Sequence, residues 1–367
     1  MKKLLLAVPA LAIALMAVFA PLGQTAEAAP VSLTVRAGDG ETGYAVNMFL
    51  PESVYVRAGD TLTWDFVWDE PHTVSFGEPT GDPTVPTNPG DAVVDYDGTG
   101  FVSSGFLPEE APPASFSIKF TTPGTYDYFC ALHPQMTGKV YVQAEGIGEQ
   151  DNQASIDGRG AATYSSAIAA LKAAAGSASA KPVAVTGSGA GRKFTLNVSS
   201  AHDLAQGDVM QFFPASVNVG VNDSVEFVSN VHTPHDVIFP GPADLNGPPP
   251  PGLEDFDPFS QDLNYKPGVK LDNSKPVISP MIGLDFPAGT KVSFGFSKPG
   301  TYKYACILHS SQGMVGVINV TAGAPLPPNT GNGPATAQSG MLGLWIVFGA
   351  VGLAFAATGV AFATTRK

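Results

Sequence analysis

Phe120 to Met136 reads FTTPGTYDYFCALHPQM, and Phe296 to Met314 reads FSKPGTYKYACILHSSQGM. Each stretch opens on a Pro-Gly turn, runs on through alternating aromatics, and ends in a loop holding one Cys, one His and one Met. A Pro-Gly pair followed by residues of period two marks a turn entering a β-strand. The same grammar stands upstream in SVYVRAGDTLTW (Ser53 to Trp64) and SVNVGVNDSVEF (Ser216 to Phe227), which read as a strand, a tight turn and a strand.

These pairs belong to one long internal repeat. With a constant offset of 163, Leu33 and Val35 fall on Leu196 and Val198, Pro51 on Pro214, Val54 and Val56 on Val217 and Val219, and Asp60 on Asp223. The same offset places Trp64 on Phe227 and Pro71-His72 on Pro234-His235. From Phe120 onward the offset is 176, so the second copy has gained 13 residues, and the gain falls near the proline run Pro248 to Pro251 and the acidic stretch Glu254 to Asp257. Short turn-punctuated strands, together with 41 Gly and 33 Pro, predict an all-β chain with one β-sandwich per copy. The segment between the copies, 145–190, is rich in Ala, Gly and Ser and reads as a linker, with a short helix expected around Tyr164 to Ala175.

Each copy carries two His, one Cys and one Met in the same order. The first has His72, then Cys130, His133 and Met136 as CxxHxxM; the second has His235, then Cys306, His309 and Met314 as CxxHxxxxM. A thiolate and two imidazoles in a trigonal plane with a weak axial thioether suit both Cu(I) and Cu(II), so the set points to mononuclear blue copper. A buried structural Cys with incidental neighbours is the plain alternative for one copy, and duplication argues against it. Structural zinc seldom uses Met. A Cys130–Cys306 disulfide would have to join equivalent core positions of two domains. His232 reads as an exposed loop residue, and His202 receives no role.

The segments PHTVSF and PHDVIF and the two ligand loops resemble those of the cupredoxins, the small blue copper proteins that include plastocyanin and amicyanin. The likeness covers 31–144, amicyanin-like with its Pro after the loop His, and 191–322, closer to plastocyanin and pseudoazurin in its longer His-to-Met gap. It implies two tandem Greek-key β-sandwiches and two type 1 copper sites, His72, Cys130, His133 and Met136 in one and His235, Cys306, His309 and Met314 in the other. It also implies an electron carrier whose exposed loop His133 or His309, with apolar neighbours such as Pro134, forms the docking edge for redox partner proteins. The differing Met loops predict different potentials.

Catalysis is not expected. A trinuclear oxidase centre resembles a cage of eight His in HxH pairs, whereas this chain has six His and no HxH, and no His adjoins either Cys. A copper-binding or storage protein without redox traffic is the second reading, and an adhesive fold that has lost its metal a third that the complete ligand sets oppose.

The ends of the chain predict its address. Met1 to Ala28 has the three parts of a signal peptide: Lys2-Lys3, an apolar run, and Ala26-Glu27-Ala28 for cleavage. Met341 to Ala363 is 23 residues without a charge, long enough to span a bilayer, and the basic tail 364–367 is expected on the cytoplasmic side. The stalk at 323–340 contains Leu326-Pro327-Pro328-Asn329-Thr330-Gly331, which with the apolar span resembles a sortase signal carrying one extra Pro. Membrane anchoring and cell-wall attachment both place the domains on the outer face. A net charge of -13 disfavours nucleic acid and favours a basic partner.

Overall fold

The computed structural model describes residues 29–323 apart from 84, 91, 109–112, 134, 145–146, 190, 201–205, 242–264, 285 and 288. The expected leader, the LPPNTG stalk, the apolar span, Pro134, His202 and the Pro248 to Asp257 stretch lie outside the described residues. Among the described residues no helix is long and apolar enough to cross a membrane.

The first repeat forms β1 (Ser32–Glu41), β2 (Tyr44–Leu50), β3 (Ser53–Arg57), β4 (Thr61–Phe66), β5 (Ser75–Phe76), β6 (Val94–Tyr96), β7 (Val102–Ser103), β8 (Ala114–Phe120), β9 (Gly124–Phe129) and β10 (Thr137–Gln143). Helix α1 (Gln153–Ser179) follows. The second repeat forms β11 (Ala184–Thr186), β12 (Lys193–Val198), β13 (Gly207–Val209), β14 (Phe212–Phe213), β15 (Ser216–Gly220), β16 (Ser224–Ser229), β17 (Ile238–Phe239), β18 (Val269–Leu271), β19 (Val277–Ile278), β20 (Lys291–Phe296), β21 (Gly300–Ala305) and β22 (Val315–Thr321).

The period-two segments are strands with one face inward: along β3 and β4 every second side chain is buried, and β15 and β16 repeat the pattern. The turn between β3 and β4 does not close a hairpin. β3 pairs with β10 in one sheet, while β4 pairs with β1 and β8 in the other, so the turn carries the chain across the sandwich. Its aspartate explains the match of Asp60 with Asp223. Asp60 accepts from the backbone of Val31 and Arg57, and Asp223 from that of Arg192 and Gly220, all within 2.8 Å, which ties the starts of β1 and β12 to this corner.

Each domain closes around an aromatic core. Trp64 stacks edge-on against Phe76 and Tyr128 in the first, and Phe227 against Phe212 and Tyr304 in the second. Burying one large apolar side chain contributes roughly 1.5–3 kcal/mol, so these clusters anchor the sheets that carry the site.

The halves are joined more closely than a linker would join them. β13, from the second half, pairs antiparallel with β2 and extends the first domain's sheet to the order β13-β2-β1-β4-β8-β6. The expected short helix is instead 27 residues long, capped by the Asn152 side chain accepting from the Ser155 amide at 3.0 Å. Its buried residues Ile168, Leu171 and Ala175 pack on Val46, Met48 and Leu50 of β2 and on Val209 and Phe213 of the second half. At Gly160 the helix comes so near β2 that a Cβ would lie 2.8 Å from the Leu50 carbonyl oxygen.

Candidate metal centre

In the first domain His72 is fixed by a two-way backbone bridge to Leu107, at 2.9 and 3.0 Å. Cys130 stands one residue beyond β9, and Met136 one residue before β10. The loop between them is cinched by the Cys130 amide donating to Met136 O and the Met136 amide to His133 O, at 2.9 and 2.8 Å. The second domain repeats this around Ile282, β21 and β22, with Cys306 N to Met314 O at 3.1 Å and Met314 N to His309 O at 3.0 Å. Two strand ends and one closed loop thereby bring together His and Cys side chains that the sequence separates by 58 residues in the first copy and 71 in the second.

The donor atoms converge. His72 Nδ1 and His133 Nδ1 are 3.1 Å apart, and Cys130 Sγ lies 3.9 and 3.5 Å from them. In the second domain the distances are 3.1, 3.8 and 3.3 Å for His235, His309 and Cys306. Imidazole and thiolate bonds of ~2.0–2.3 Å to one ion put such donors roughly 3.5–3.8 Å apart in a trigonal plane, so both sets fit a single first-row metal with little movement. Met136 and Met314 are buried in the same clusters as Cys130 and Cys306. Both cysteines are free, each enclosed in its own centre.

The two thiols have different neighbours. At Cys130 burial opposes ionisation, but hydrogen bonds and charges from His133 and His72 outweigh it and hold the thiol well below its ordinary range. The Thr73 amide also donates to its Sγ at 3.3 Å, while Thr73 Oγ1 accepts from the Ala131 amide at 2.8 Å. In the second copy the residue at this place is Asp236, whose Oδ1 accepts from the Ile307 amide at 2.7 Å. Burial raises the Cys306 thiol, and Asp236 adds to the rise. Burial likewise lifts Asp236 itself, to about 6.

Between the centres stands a residue that reading the motifs missed. Glu70, 2% exposed, has one oxygen 3.3 Å from His133 Nε2 and the other 3.2 Å from His309 Nε2. The His133 contact falls short of hydrogen-bond alignment, though its buried Nε2 faces the carboxylate. Gln312, in the longer ligand loop, donates to Glu70 Oε2 at 3.0 Å, and Trp68 Nε1 donates to Gln312 Oε1 at 3.3 Å. Burial alone would raise Glu70, but the two imidazoles beside it, His309 and His133, hold it well below the ordinary carboxylate range.

This arrangement overturns the exposed docking edge. His133 and His309 are 5% and 2% exposed: the ligand ends of the two domains face each other, with Glu70 against both rings and Trp68 and Asp69 against the second loop. A sequence signal for Glu70 existed in the repeat: at the offset of 163 its counterpart is Thr233, so the first copy carries a charge just before its ligand His where the second has none. His232 is exposed, as expected.

A profile of the copper-binding proteins of the plastocyanin/azurin family matches residues 39–143 and again 198–321. Amicyanin-alpha of Methylorubrum extorquens is 34% identical over 107 residues, covering 29% of this chain and 74% of its own length. Plastocyanin of Scenedesmus fuscus is 34% identical over 113 residues, covering 30% of this chain and 99% of its own. Amicyanin of Paracoccus denitrificans is 32% identical over 90 residues, 24% of this chain and 54% of the relative. With the family's domain present twice and a His/Cys/His cluster at the matching end of each copy, the chain belongs to the plastocyanin/azurin family of copper-binding proteins.

Proposed function

We propose that this chain is an extracytoplasmic electron carrier with two type 1 copper sites. His72, Cys130, His133 and Met136 hold one ion, and His235, Cys306, His309 and Met314 the other. The observation that carries the reading is the twofold convergence of two Nδ1 atoms and one Sγ in a buried pocket, their atoms all within 4.8 Å of one another. Copper in such a pocket supplies one-electron chemistry, Cu(II) taking up one electron and Cu(I) returning it. The protein's part is to keep the donors still: each Cys and Met is pinned by a backbone hydrogen bond, and all eight side chains are buried.

The outer-face location rests on the leader pattern, the uncharged span and the basic tail, and the partner is a redox protein for which the acidic surface selects basic docking groups. Protease shaving of intact cells tests the address: release of both domains supports it, and full protection would overturn it.

The test of the function is metal content and visible spectrum of residues 30–322 loaded with copper, beside Cys130→Ser and Cys306→Ser. Two coppers per chain and an intense thiolate band, halved by either substitution, are expected. A protein that binds only Cu(I), colourless and without reversible oxidation, would favour copper storage; one that binds no copper would overturn both readings.

A further inference from the structure

We propose that Glu70 is a positioning residue that joins the two metal pockets into one coupled unit, so that an electron delivered to either pocket is shared between them without leaving the molecule. The inference rests on the blue-copper reading above and deepens it.

Four observations carry it. Each loop imidazole directs Nδ1 to its own Cys and the opposite nitrogen to the same carboxylate, within 3.3 Å. The path from the His133 ring to the His309 ring is therefore a single buried carboxylate, reached by two short polar contacts. Secondly, the bridge is built rather than incidental. Glu70 is enclosed, Gln312 holds one of its oxygens, Trp68 holds Gln312, and Ser311 donates to Asp69 beside it. Three of these contacts join residues 242 or more positions apart. Thirdly, the repeat supplies this glutamate once: Thr233 stands where a second would, and it donates instead to the buried Asp208. One carboxylate serves two imidazoles. Fourthly, the longer His-to-Met gap of the second loop, which the first loop lacks, contains Gln312 and Ser311.

The chemistry follows from the donor set. A ligand imidazole that presents its second N–H to a carboxylate is fixed in tautomer and ring orientation and made more basic. Here two imidazoles share that carboxylate, so a change of charge at one pocket alters the hold on the other, and such coupling acts equally in both directions. In the exchange itself one pocket loses an electron as the other gains it, and no external reductant is consumed after the first electron has entered.

The test uses the copper-loaded chain, a substoichiometric pulse of a one-electron reductant radical, and the thiolate bands of the two pockets. Redistribution between pockets is expected to be first order with a rate independent of protein concentration, and Glu70→Gln to slow it at least tenfold while both coppers and both bands remain. Glutamine can accept from one imidazole but meets the other donor to donor. A second readout does not involve electron flow: in the diamagnetic Cu(I) form, nitrogen-15 spectra should show slowly exchanging Nε2 protons for both His133 and His309, and Glu70→Gln should lose one. Redistribution that scales with protein concentration, or that Glu70→Gln leaves unchanged, would overturn the proposal while the blue-copper reading stands. Should Glu70→Gln not fold, the concentration dependence and the two Nε2 protons of the native chain still decide. Absence of copper or of the thiolate bands would instead overturn the underlying reading, and this proposal with it.

Discussion

Asp236 and Thr73 occupy equivalent places beside the two thiols, and the difference between them is one buried charge. A carboxylate next to a thiolate favours the more positively charged Cu(II) state, so the second centre should have the lower reduction potential. Replacing Asp236→Thr should raise that potential by on the order of 60 mV, the equivalent of a tenfold change in a one-electron equilibrium. Redox titration followed at the thiolate band checks this, and an unchanged potential would remove Asp236 as the cause. The motif reading attributed the expected difference to the Met loops alone, because residues adjacent to His72 and His235 were seen only as markers of the repeat. Core residues at this scale act through packing. Trp64 is fully buried among Phe76 and Tyr128, and Trp64→Ala should cost about 3–5 kcal/mol in chemical denaturation.

At the scale of elements, α1 shows how a composition rich in Ala, Gly and Ser can conceal a structural joint. Small residues let the helix approach β2, and the contact at Gly160 leaves no room for a Cβ. Only a few larger side chains, Ile156, Ile168 and Leu171, are buried on it, too sparse a stripe to announce a docking face. Leu171→Ala should destabilise by roughly 2–5 kcal/mol, because its partners come from β2 and from the second half at once. Thermal unfolding measures the loss; a change below a fraction of that range would mean the helix is only loosely seated. The ligand loops behave differently. Their backbone bonds are local, so their form follows from a few residues between Cys and Met, and those residues were legible as a unit.

For the molecule as a whole, the first domain's sheet is completed by β13 from the second half, and its outer face by α1. Residues 31–144 produced alone would expose the free edge of β2 together with Val46, Met48 and Leu50, a surface prone to self-association. Sedimentation should show that piece associating, whereas the chain from 31 to 323 remains monodisperse; a monodisperse first domain would count against the shared sheet. The sequence by itself determined the repeat, the inward faces of the strands and the His, Cys and His that converge in each centre, since period two and closely spaced loop residues are local properties of the chain. Only the tertiary structure decided that the two centres face one another, that His133 and His309 are buried, and that Glu70 stands between them. Glu70 and Gln312 are 242 residues apart, and what brings them together is the packing of two domains across a borrowed strand and a helix, to which no periodicity or spacing within either copy refers.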